Sequence, residues 1–468
     1  MKRKPFIKLF KTAHRYFLYD VNKNTILKIS KETYYALSKV LKYGAESINK
    51  EESEVQDYLL LLEKDGYLKP NNIETIKNPN TDFHKSYLHN KMISLILEVT
   101  QNCNFRCKYC PYSSDEIYDR THNRQNMTLE MAKKAIDFYF ENSVYVPSKQ
   151  ISFYGGEPLL VFPLIKQCVE YVNSKCCGEC VQYNLTTNAS LLTEEMVKFF
   201  SRHNFKITIS LDGWQEHNDK NRKFEKSQKS TFEVVYEKIK MIEACDEYPI
   251  DMNFNAVWDG SVPKSEIINF FENDTILKKY SYEINPMSGN SVNNYFSMSE
   301  NDILNDKYNT LQKILFANKK ENFEDEFEYL LERLSDKTNL QCSCHHAGPC
   351  IAGQSRLYIT TDGYMFPCEK FSRNSICTRI GHLEQGFEYD KIYKLLNFGL
   401  VTEKECKNCW AIRLCSMCPV FANGTNELSH KLKTDYCTLL KKQILDDLKS
   451  LCAYKSLKEY GVAFMEEK

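Results

Sequence analysis

The chain lacks a net charge, and it lacks any long apolar run. Its 62 basic and 62 acidic side chains cancel, which removes the electrostatic footprint that binding to nucleic acid or to an anionic membrane requires. No apolar stretch approaches the roughly 20 residues that a membrane-spanning helix needs. The segment that follows the basic start Met1-Lys2-Arg3-Lys4 carries further cations where a signal peptide would be apolar. We therefore expect a cytoplasmic protein with no nucleic-acid partner and no membrane partner.

Cysteine, by contrast, is abundant. Nineteen cysteines in a cytoplasmic chain argue against a disulfide scaffold and favour metal-binding or catalytic thiolates. Cys103, Cys107 and Cys110 form a C-x3-C-x2-C segment directly after the apolar run Ile93–Thr100. Thiolates are the usual ligands of a [4Fe–4S] cluster, which normally takes four, so three would leave one iron open. The alternatives are a structural zinc knuckle or cysteines buried as small hydrophobic residues.

Strands and helices are predicted to alternate regularly over residues 91–320. Apolar patterns predict six strands, at Ile93–Thr100, Gln150–Tyr154, Gln182–Thr187, Lys206–Leu211, Asp251–Val257 and Tyr280–Ile284. Four helices are predicted between them, at Thr128–Asn142, Leu159–Ser174, Glu194–His203 and Thr231–Ala244, with caps at Thr193 and Ser230. This pattern predicts an α/β fold with a partial (β/α)6 barrel, open because it is two units short of eight.

Polar motifs follow the predicted strands. The active site of a β/α barrel is built from loops at the carboxyl ends of the strands. The loops here carry Gly155-Gly156-Glu157-Pro158, Asn188, and Ser210-Leu211-Asp212-Gly213 with His217 and Arg222. Glycine lets a backbone approach a ligand closely, and a forked guanidinium suits a carboxylate. Asn188, Asp212 and His217 could equally orient loops without touching a ligand.

The cysteine triplet and these motifs, in this order, resemble the radical SAM enzymes. The resemblance implies that Cys103, Cys107 and Cys110 hold a [4Fe–4S] cluster whose open iron chelates S-adenosylmethionine (SAM). One electron then cleaves SAM to a 5′-deoxyadenosyl radical, which abstracts a hydrogen atom from the substrate. The implied SAM-side residues are Tyr109, Gly155, Gly156, Glu157, Asn188, Ser210, Asp212 and Arg222. A further SAM contact is expected near Pro286-Met287.

The first 75 residues predict a small separate domain. Strands are expected at Phe6–Phe10, Tyr16–Asp20, Thr25–Ile29 and a short wing at Tyr67-Leu68, with helices at Ser30–Tyr43 and Glu51–Lys64. This pattern resembles the winged-helix, PqqD-like domains that bind a leader peptide by adding it as a strand. A DNA-binding winged helix, disfavoured by the interspersed acids, and an inert cap are the alternatives. A polar linker follows over residues 76–90.

A second cysteine-rich region occupies residues 340–468 and resembles the SPASM extension, which carries two auxiliary [4Fe–4S] clusters. The resemblance implies two ligand sets, Cys344, Cys350, Cys368 and Cys418 for one cluster, and Cys406, Cys409, Cys415 and Cys437 for the other. Cys342 could replace Cys344, or a substrate thiolate could take that place; a pair of zinc ribbons is the alternative. Cys176, Cys177 and Cys180 are expected to be free thiols or a local stabilising site, and the expected core cysteines are Cys168, Cys245 and Cys452.

The domain order resembles radical SAM peptide maturases, most closely the Cys-rich-peptide (CcpM-like) group. It implies post-translational modification of a ribosomally made Cys-rich precursor peptide by hydrogen abstraction and thioether crosslinking.

 The implied cofactors are three [4Fe–4S] clusters and SAM, and the implied partners are the precursor peptide and a low-potential electron donor such as flavodoxin or ferredoxin.

The alternative enzyme is an anaerobic sulfatase-maturing enzyme, which forms formylglycine from Cys or Ser and shares the barrel and the SPASM extension. In those enzymes an acidic residue follows the third cysteine of the first auxiliary cluster and accepts a proton. Glu369 occupies that position here, where Asp is expected, and it is the candidate catalytic residue. A non-enzymatic electron carrier or peptide-binding module would leave the SAM-side motifs without a purpose. The sequence leaves open the peptide and the product, which could also be a carbon–carbon link or an epimer.

Overall fold

The computed structural model describes residues 3–12, 15–44, 46–47, 53–110, 112, 122–175, 181–245, 247–286, 322–346 and 350–465. Three parts follow one another: a small antiparallel sheet with two helices, a large sheet flanked by helices, and a mainly helical C-terminal part. The fold is therefore mixed α/β, as predicted. In the part of the chain that is described, no helix combines the length and the apolarity needed to cross a bilayer.

The N-terminal part is a three-stranded antiparallel sheet followed by two helices. Its elements are β1 (Ile7–Lys11), β2 (Tyr16–Asp20), β3 (Thr25–Ile29), α1 (Lys31–Tyr43) and α2 (Ser53–Lys64). Ser30 caps α1, because its hydroxyl oxygen accepts a hydrogen bond from the Thr33 N–H at 3.1 Å. The three strands and both helices predicted for this part are confirmed to within about two residues at their ends.

The predicted wing strand at Tyr67-Leu68 is wrong. Leu68 has a left-handed backbone with φ 59°, and its N–H donates to the Asp20 carboxylate at 2.8 Å, so this segment is a turn and cannot continue a strand. The next strand, β4 (Thr75–Ile76), pairs in parallel with β11 (Ser343–Cys344) from the C-terminal part.

The two faces of the N-terminal sheet pack against different partners. Leu18 in the middle of β2 packs with residues of α1 and α2. Its neighbours Phe17 and Tyr19 point the other way and belong to a cluster formed with the C-terminal part, where the Tyr19 ring lies 6.5 Å from that of Trp410. Residues 1–75 therefore share a hydrophobic core with the cysteine-rich region.

Six parallel strands form most of the large sheet and are hydrogen-bonded in chain order. They are β5 (Ser94–Thr100), β6 (Lys149–Gly155), β7 (Val181–Thr187), β8 (Phe205–Ser210), β9 (Asp251–Trp258) and β10 (Tyr282–Pro286). Helix α3 (His84–Asn90) precedes them, and the connecting helices are α4 (Leu129–Glu141), α5 (Phe162–Lys175), α6 (Glu194–Arg202), α7 (Gln215–Asn221), α8 (Thr231–Glu243) and α9 (Lys264–Asn273). The predicted caps Thr193 and Ser230 each accept a hydrogen bond from a first-turn N–H. The predicted strand–helix alternation is confirmed.

The sheet also extends into the C-terminal part. Strand β12 (Leu357–Ile359) pairs in parallel with β5, and β13 (Tyr364–Phe366), β14 (Gly381–His382) and β15 (Gly386–Phe387) continue it in antiparallel fashion. Strand β5 has a neighbour on both edges, and all seven of its residues are buried, so both faces of the sheet are covered at this strand. The sequence did not predict this junction between the barrel region and the region beyond residue 340.

Helices complete the C-terminal part. They are α10 (Asn322–Ser335), α11 (Tyr389–Leu396), α12 (Glu403–Lys407) and α13 (His430–Met465). Leu440, Ile444, Leu448 and Leu451 recur along α13 at helical spacing and pack in the same cluster as Phe17 and Tyr19 of β2.

Candidate active site

The cysteine triplet lies on the loop after β5, at the carboxyl edge of the parallel strands. Cys103 and Cys107 are buried and Cys110 is half-buried. A neighbouring segment holds this loop, because the Arg106 N–H donates to the Lys223 carbonyl at 2.7 Å and the Lys108 N–H donates to the Asn221 carbonyl at 3.0 Å. The three thiols predicted as ligands thus lie on a loop whose backbone is hydrogen-bonded to the segment that contains Asn221 and Lys223.

The environment of these thiols opposes ionisation. Burial raises the pKa of Cys107 to about 12, although Arg222 works in the other direction. Burial also raises the pKa of Cys103, and the Glu157 carboxylate and the two other thiols add to the effect. Such thiols become thiolates when a metal cation binds them. Among the described residues no three His, Cys, Asp or Glu side chains are arranged to hold a single metal ion, whereas the thiolate ligands of a [4Fe–4S] cluster each bind a different iron.

The two glycines after β6 allow the two loops to meet. A Cβ atom on Gly155, which has φ 140°, would lie 2.1 Å from the Thr100 carbonyl oxygen, and one on Gly156 would lie 2.1 Å from that of Asn102. The Gly156 N–H donates to the Thr100 carbonyl at 2.8 Å. The close approach predicted for these glycines is therefore an approach to the backbone that leads into the cysteine loop.

Glu157 joins the loops that follow β6 and β7. Its fully buried carboxylate accepts from the Leu159 N–H at 3.0 Å, the Thr187 hydroxyl at 2.7 Å and the Asn188 N–H at 2.8 Å. Burial raises its pKa, and these three hydrogen bonds work in the other direction. The Asn188 amide donates in turn to the Asn104 side chain at 2.9 Å. Glu157 and Asn188 thus orient the loops around Cys103.

A buried ion pair forms the other side of the site. The Asp212 carboxylate accepts from Arg222 Nη2 at 2.9 Å, from the Val257 N–H at 2.9 Å and from the Tyr109 hydroxyl at 2.5 Å. Burial works against the charged guanidinium, but Asp212 and the neighbouring Tyr109 and Cys107 outweigh it and raise the pKa of Arg222. Through these hydrogen bonds Asp212 connects Tyr109 of the cysteine loop to the ends of β8 and β9.

Two buried nitrogens beside this pair, Arg222 Nε and His217 Nε2, have no hydrogen-bond partner among the described residues. Buried polar groups are normally satisfied, so these atoms fit a ligand with acceptor oxygens, such as the carboxylate of SAM. Ser210 ends β8 next to Asn255 of β9 and is half-buried. Pro286 ends β10, whereas Met287 and the thiols of Cys176, Cys177 and Cys180 lie outside the described residues.

Four of the C-terminal cysteines lie close together. Burial and the thiols of Cys409, Cys437 and Cys406 raise the pKa of Cys415 to about 12. Burial, followed by the thiols of Cys406 and Cys409, raises the pKa of Cys437 to about 11. The predicted second set, Cys406, Cys409, Cys415 and Cys437, is therefore one group of neighbouring thiols.

The other predicted set is only partly assembled. Burial raises the pKa of Cys418, and the thiol of Cys350 adds to this effect. Burial also raises the pKa of Cys368, and the Glu369 carboxylate and the thiol of Cys418 add to it. The neighbours of Cys344, however, are Cys406 and Cys342, because the β4–β11 pair holds it in the cluster that contains Cys406. Cys344 is thus nearer to the second set than to the set predicted for it.

Lys433 is a feature of this region that the sequence reasoning missed. It is fully buried, and its ammonium donates to the Phe398 carbonyl at 2.7 Å and lies 3.8 Å from Cys406 Sγ. Burial lowers its pKa, and the thiols of Cys406, Cys437 and Cys415 oppose that shift. Its position one helical turn before Cys437 was the available signal.

Glu98 was also missed. It is buried in the middle of β5, where its carboxylate accepts from the Tyr112 hydroxyl at 2.8 Å, the Thr361 N–H at 3.1 Å and Arg373 Nη1 at 3.0 Å. These bonds connect the strand before the cysteine loop to the C-terminal part. An acid within an otherwise apolar run was the signal, since a buried charge is retained only when it is paired.

Glu369, the predicted proton acceptor, follows Cys368 on a turn. Its carboxylate accepts from Arg356 Nη1 at 2.8 Å, and the Arg356 side chain is half exposed. The Glu369 carboxylate is mostly buried. It is the second cause, after burial, of the raised pKa of Cys368. Glu369 thus lies beside a candidate cluster ligand with an arginine as its ion partner.

Comparison with known proteins identifies the class of this site. Residues 97–246 match the Radical SAM superfamily. This stretch, which contains the cysteine triplet, the two glycines, Asp212 and Arg222, is a radical SAM domain. Domains of this class are enzymatic and depend on an iron–sulfur cluster and SAM.

The chain is also similar to individual proteins of known name. The chain is 26% identical over 361 residues to the cysteine-type anaerobic sulfatase-maturating enzyme of Clostridium novyi (strain NT), a match that covers 72% of this chain and 92% of that protein. It is 27% identical over 202 residues to the radical SAM cyclopropyl synthase TigE of Paramaledivibacter caminithermalis, covering 42% of this chain and 40% of that protein. The solved structure of native anSMEcpe with bound AdoMet and Cp18Cys peptide has a TM-score of 0.56 at 19% identity and covers 78% of this chain and 99% of that one. At this identity the last similarity shows the fold alone.

Proposed function

We propose that the chain is a radical SAM peptide maturase that binds the leader of a ribosomal Cys-rich precursor peptide and forms thioether crosslinks in it. The observation that carries the proposal is the single core shared by the N-terminal sheet and the cysteine-rich C-terminal part. That core connects the N-terminal sheet, which is suited to adding a peptide strand, to the region that would hold the auxiliary clusters. The same C-terminal region pairs with the first strand of the radical SAM domain.

The residues of the radical SAM domain have separate proposed tasks. Cys103, Cys107 and Cys110 would hold the SAM-binding [4Fe–4S] cluster, and the unsatisfied Arg222 Nε supports a contact with the SAM carboxylate. When bound, the cluster and SAM supply the hydrogen-abstracting radical. Tyr109, Asp212, Glu157 and Asn188 orient the surrounding loops through the bonds described above.

The auxiliary ligands follow from the two thiol groups. Cys406, Cys409, Cys415 and Cys437 would hold one cluster, and Cys350, Cys368 and Cys418 would hold the other. The fourth ligand of the latter stays open among Cys344, Cys342 and a substrate thiolate, since Cys344 lies nearer to Cys406. A thioether link removes one hydrogen atom from carbon, one proton from the cysteine thiol and one electron, which the adjacent auxiliary cluster would accept.

Glu369 is the proposed acceptor of the thiol proton. We expect Glu369→Gln to slow peptide modification about 100-fold, within the usual range for a lost general base, while SAM cleavage changes little. Glu369→Asp should restore part of the rate because it keeps the carboxylate. Single-turnover assays that quantify modified peptide and 5′-deoxyadenosine in parallel test this. Glu384→Gln, an exposed carboxylate elsewhere in the C-terminal part, is the control, and equal rates for Glu369→Gln and wild type would contradict the role.

The outer edge of β3 is the proposed leader site. Among the described strands β3 pairs only with β2, and β1 on the other side faces α13. The Tyr16 ring, on the residue that pairs with Ile29 of β3, lies 5.1 Å from the Tyr34 ring and 6.1 Å from the Tyr35 ring. An added strand would pass this aromatic group, and aromatic side chains are frequent anchors at peptide interfaces.

Tyr35 therefore provides a test of leader-guided modification in the full-length enzyme. We expect Tyr35→Ala to weaken leader binding about tenfold, the cost of losing one aromatic anchor, and to reduce peptide modification without changing uncoupled SAM cleavage. Tyr43→Ala is the matched control, because Tyr43 is an exposed tyrosine at the far end of the same helix. Titration of a fluorescent leader peptide measures the affinity. Equal effects of the two substitutions, or unchanged modification by Tyr35→Ala, would contradict the proposal.

Sulfatase maturation is the second candidate, and the similarity to the Clostridium novyi enzyme favours it. That alignment uses 92% of the relative but leaves 28% of this chain (100% minus 72%) unmatched. A leader-binding domain would account for part of the difference. The chemical nature of the product separates the two candidates.

A further inference from the structure

A concave surface opens beside the cysteine loop. Two adjoining cavities of about 390 Å³ and 290 Å³ share Asn102, Glu225 and Lys226 in their walls. The smaller cavity reaches Cys103, and the larger is also lined by Arg106 and Arg124. We call this surface the Cys103 groove.

The described residues of the groove carry more positive than negative charge, in a chain that has no net charge. Of the described residues that line it, Arg106, Arg124 and Lys226 are basic and Glu225 is acidic. The Glu225 carboxylate is already paired with Arg106 at 2.7 Å. Exposed Lys108 and Lys223 lie next to these residues in sequence and add two further cations. Positive charge therefore dominates the described part of this surface.

The basic segment is fixed against the cysteine loop. The Glu225 N–H donates to the Asn104 carbonyl at 2.9 Å, and the rings of Phe105 and Phe224 lie 4.7 Å apart. Arg106 Nη1 donates to the Cys103 carbonyl at 2.7 Å. The Arg106 side chain therefore connects the charged surface to the backbone of Cys103, a proposed cluster ligand.

We infer that the Cys103 groove is the docking surface for an acidic one-electron donor protein, of the low-potential flavin or iron–sulfur class. The inference rests on the proposed function, because it takes Cys103 as a cluster ligand. One electron would pass from the reduced donor to the iron–sulfur group, the donor being oxidised by one electron, with no atom or proton exchanged.

The position and the charge favour this occupant. Electron-transfer partners associate through small, transient interfaces, and opposite charges steer such encounters at rates that fall with ionic strength. The groups proposed to meet SAM, among them Asp212 and Arg222, are buried behind the loop, whereas the groove residues Arg124 and Lys226 are exposed. A donor at the groove would contact exposed side chains and leave the buried groups proposed to meet SAM in place.

The test uses the full-length, cluster-loaded enzyme and a recombinant flavodoxin as the probe. The variant Lys223→Glu/Lys226→Glu reverses two charges at the groove. The control Lys206→Glu/Lys278→Glu makes the same charge change near the amino ends of β8 and β10, at the opposite edge of the sheet. We expect the groove variant to bind flavodoxin about tenfold more weakly at low ionic strength and the control to bind like wild type. The difference should shrink at about 0.15 M salt.

SAM cleavage provides the second readout. With reduced flavodoxin the groove variant should cleave SAM more slowly than wild type, and with dithionite, a small chemical reductant, the rates should be equal. Equal flavodoxin binding by wild type and the groove variant, or equal losses in the control, would overturn the docking surface. Weaker binding of an acidic peptide with unchanged flavodoxin binding would overturn it in favour of a peptide site. A wild-type enzyme that fails to cleave SAM with dithionite would instead refute the proposed function.

Discussion

The variant Cys103→Ala/Cys107→Ala/Cys110→Ala is expected to lose all SAM cleavage and about four of the roughly twelve irons that three [4Fe–4S] clusters contain. The three side chains lie on the loop after β5, and their removal leaves the strands and the two C-terminal thiol groups intact. The remaining iron should therefore stay bound. Iron and sulfide analysis of anaerobically reconstituted protein, with 5′-deoxyadenosine quantified in parallel, measures both effects.

A matched control separates the loss of ligands from the loss of thiols. Cys168→Ala/Cys245→Ala/Cys452→Ala also removes three thiols, but these pack in or against the hydrophobic clusters. This control should keep its iron and cleave SAM. Zinc in place of iron, or SAM cleavage that survives in the first variant, would contradict the radical SAM site at Cys103, Cys107 and Cys110.

The second large effect is expected at Arg222. Arg222→Leu leaves the buried Asp212 carboxylate without its cation, and breaking a buried pair in this way typically costs about 3–5 kcal/mol of stability. Lys220→Leu is the control. Lys220 and Asp259 are 2.9 Å apart, but the lysine is 45% exposed, and such pairs contribute about 0–1 kcal/mol. Denaturant unfolding of the two variants measures the free-energy difference.

A double variant distinguishes the structural effect of Arg222 from its proposed role at SAM. Asp212→Asn/Arg222→Leu removes both charges, so it should recover much of the stability lost in Arg222→Leu. It should not recover SAM binding, because the guanidinium is still absent. Equilibrium binding of SAM to the reconstituted protein tests this. Recovery of SAM affinity in the double variant would show that Arg222 serves the fold alone.

The sequence predicted the elements that depend on local pattern. Strand β5 is an apolar run, and the residues of β6 to β9 alternate in burial along each strand. Thr193 and Ser230 mark helix starts because their side chains satisfy first-turn N–H groups. The placement of Gly155, Asn188 and Asp212 at strand ends followed from the rule that parallel strands end at a common edge. Each of these features is determined by residues that lie close together in the sequence.

Contacts between distant segments could not be predicted. Strand β12 has three residues, too few for a pattern, and its pairing with β5 joins positions more than 250 residues apart. Cys344 lies beside Cys406 because of the equally short β4–β11 pair. The strand predicted at Leu68 was wrong because a hydrogen bond to Asp20 of β2 stabilises a left-handed backbone there. In each case tertiary contacts outweigh the local preference of a short segment.

The mass and reactivity of the modified peptide test the central claim most directly. The purified enzyme is incubated anaerobically with SAM, a reductant and a Cys-rich precursor peptide, and the product is analysed by intact mass spectrometry, thiol alkylation and hydrazide labelling. The proposed function predicts a product that is lighter by two hydrogens, about 2 Da, for each link and that has one alkylatable cysteine fewer per link. A hydrazide-reactive aldehyde in a sulfatase-derived peptide, with the Cys-rich precursor unchanged, would contradict it and identify sulfatase maturation as the function.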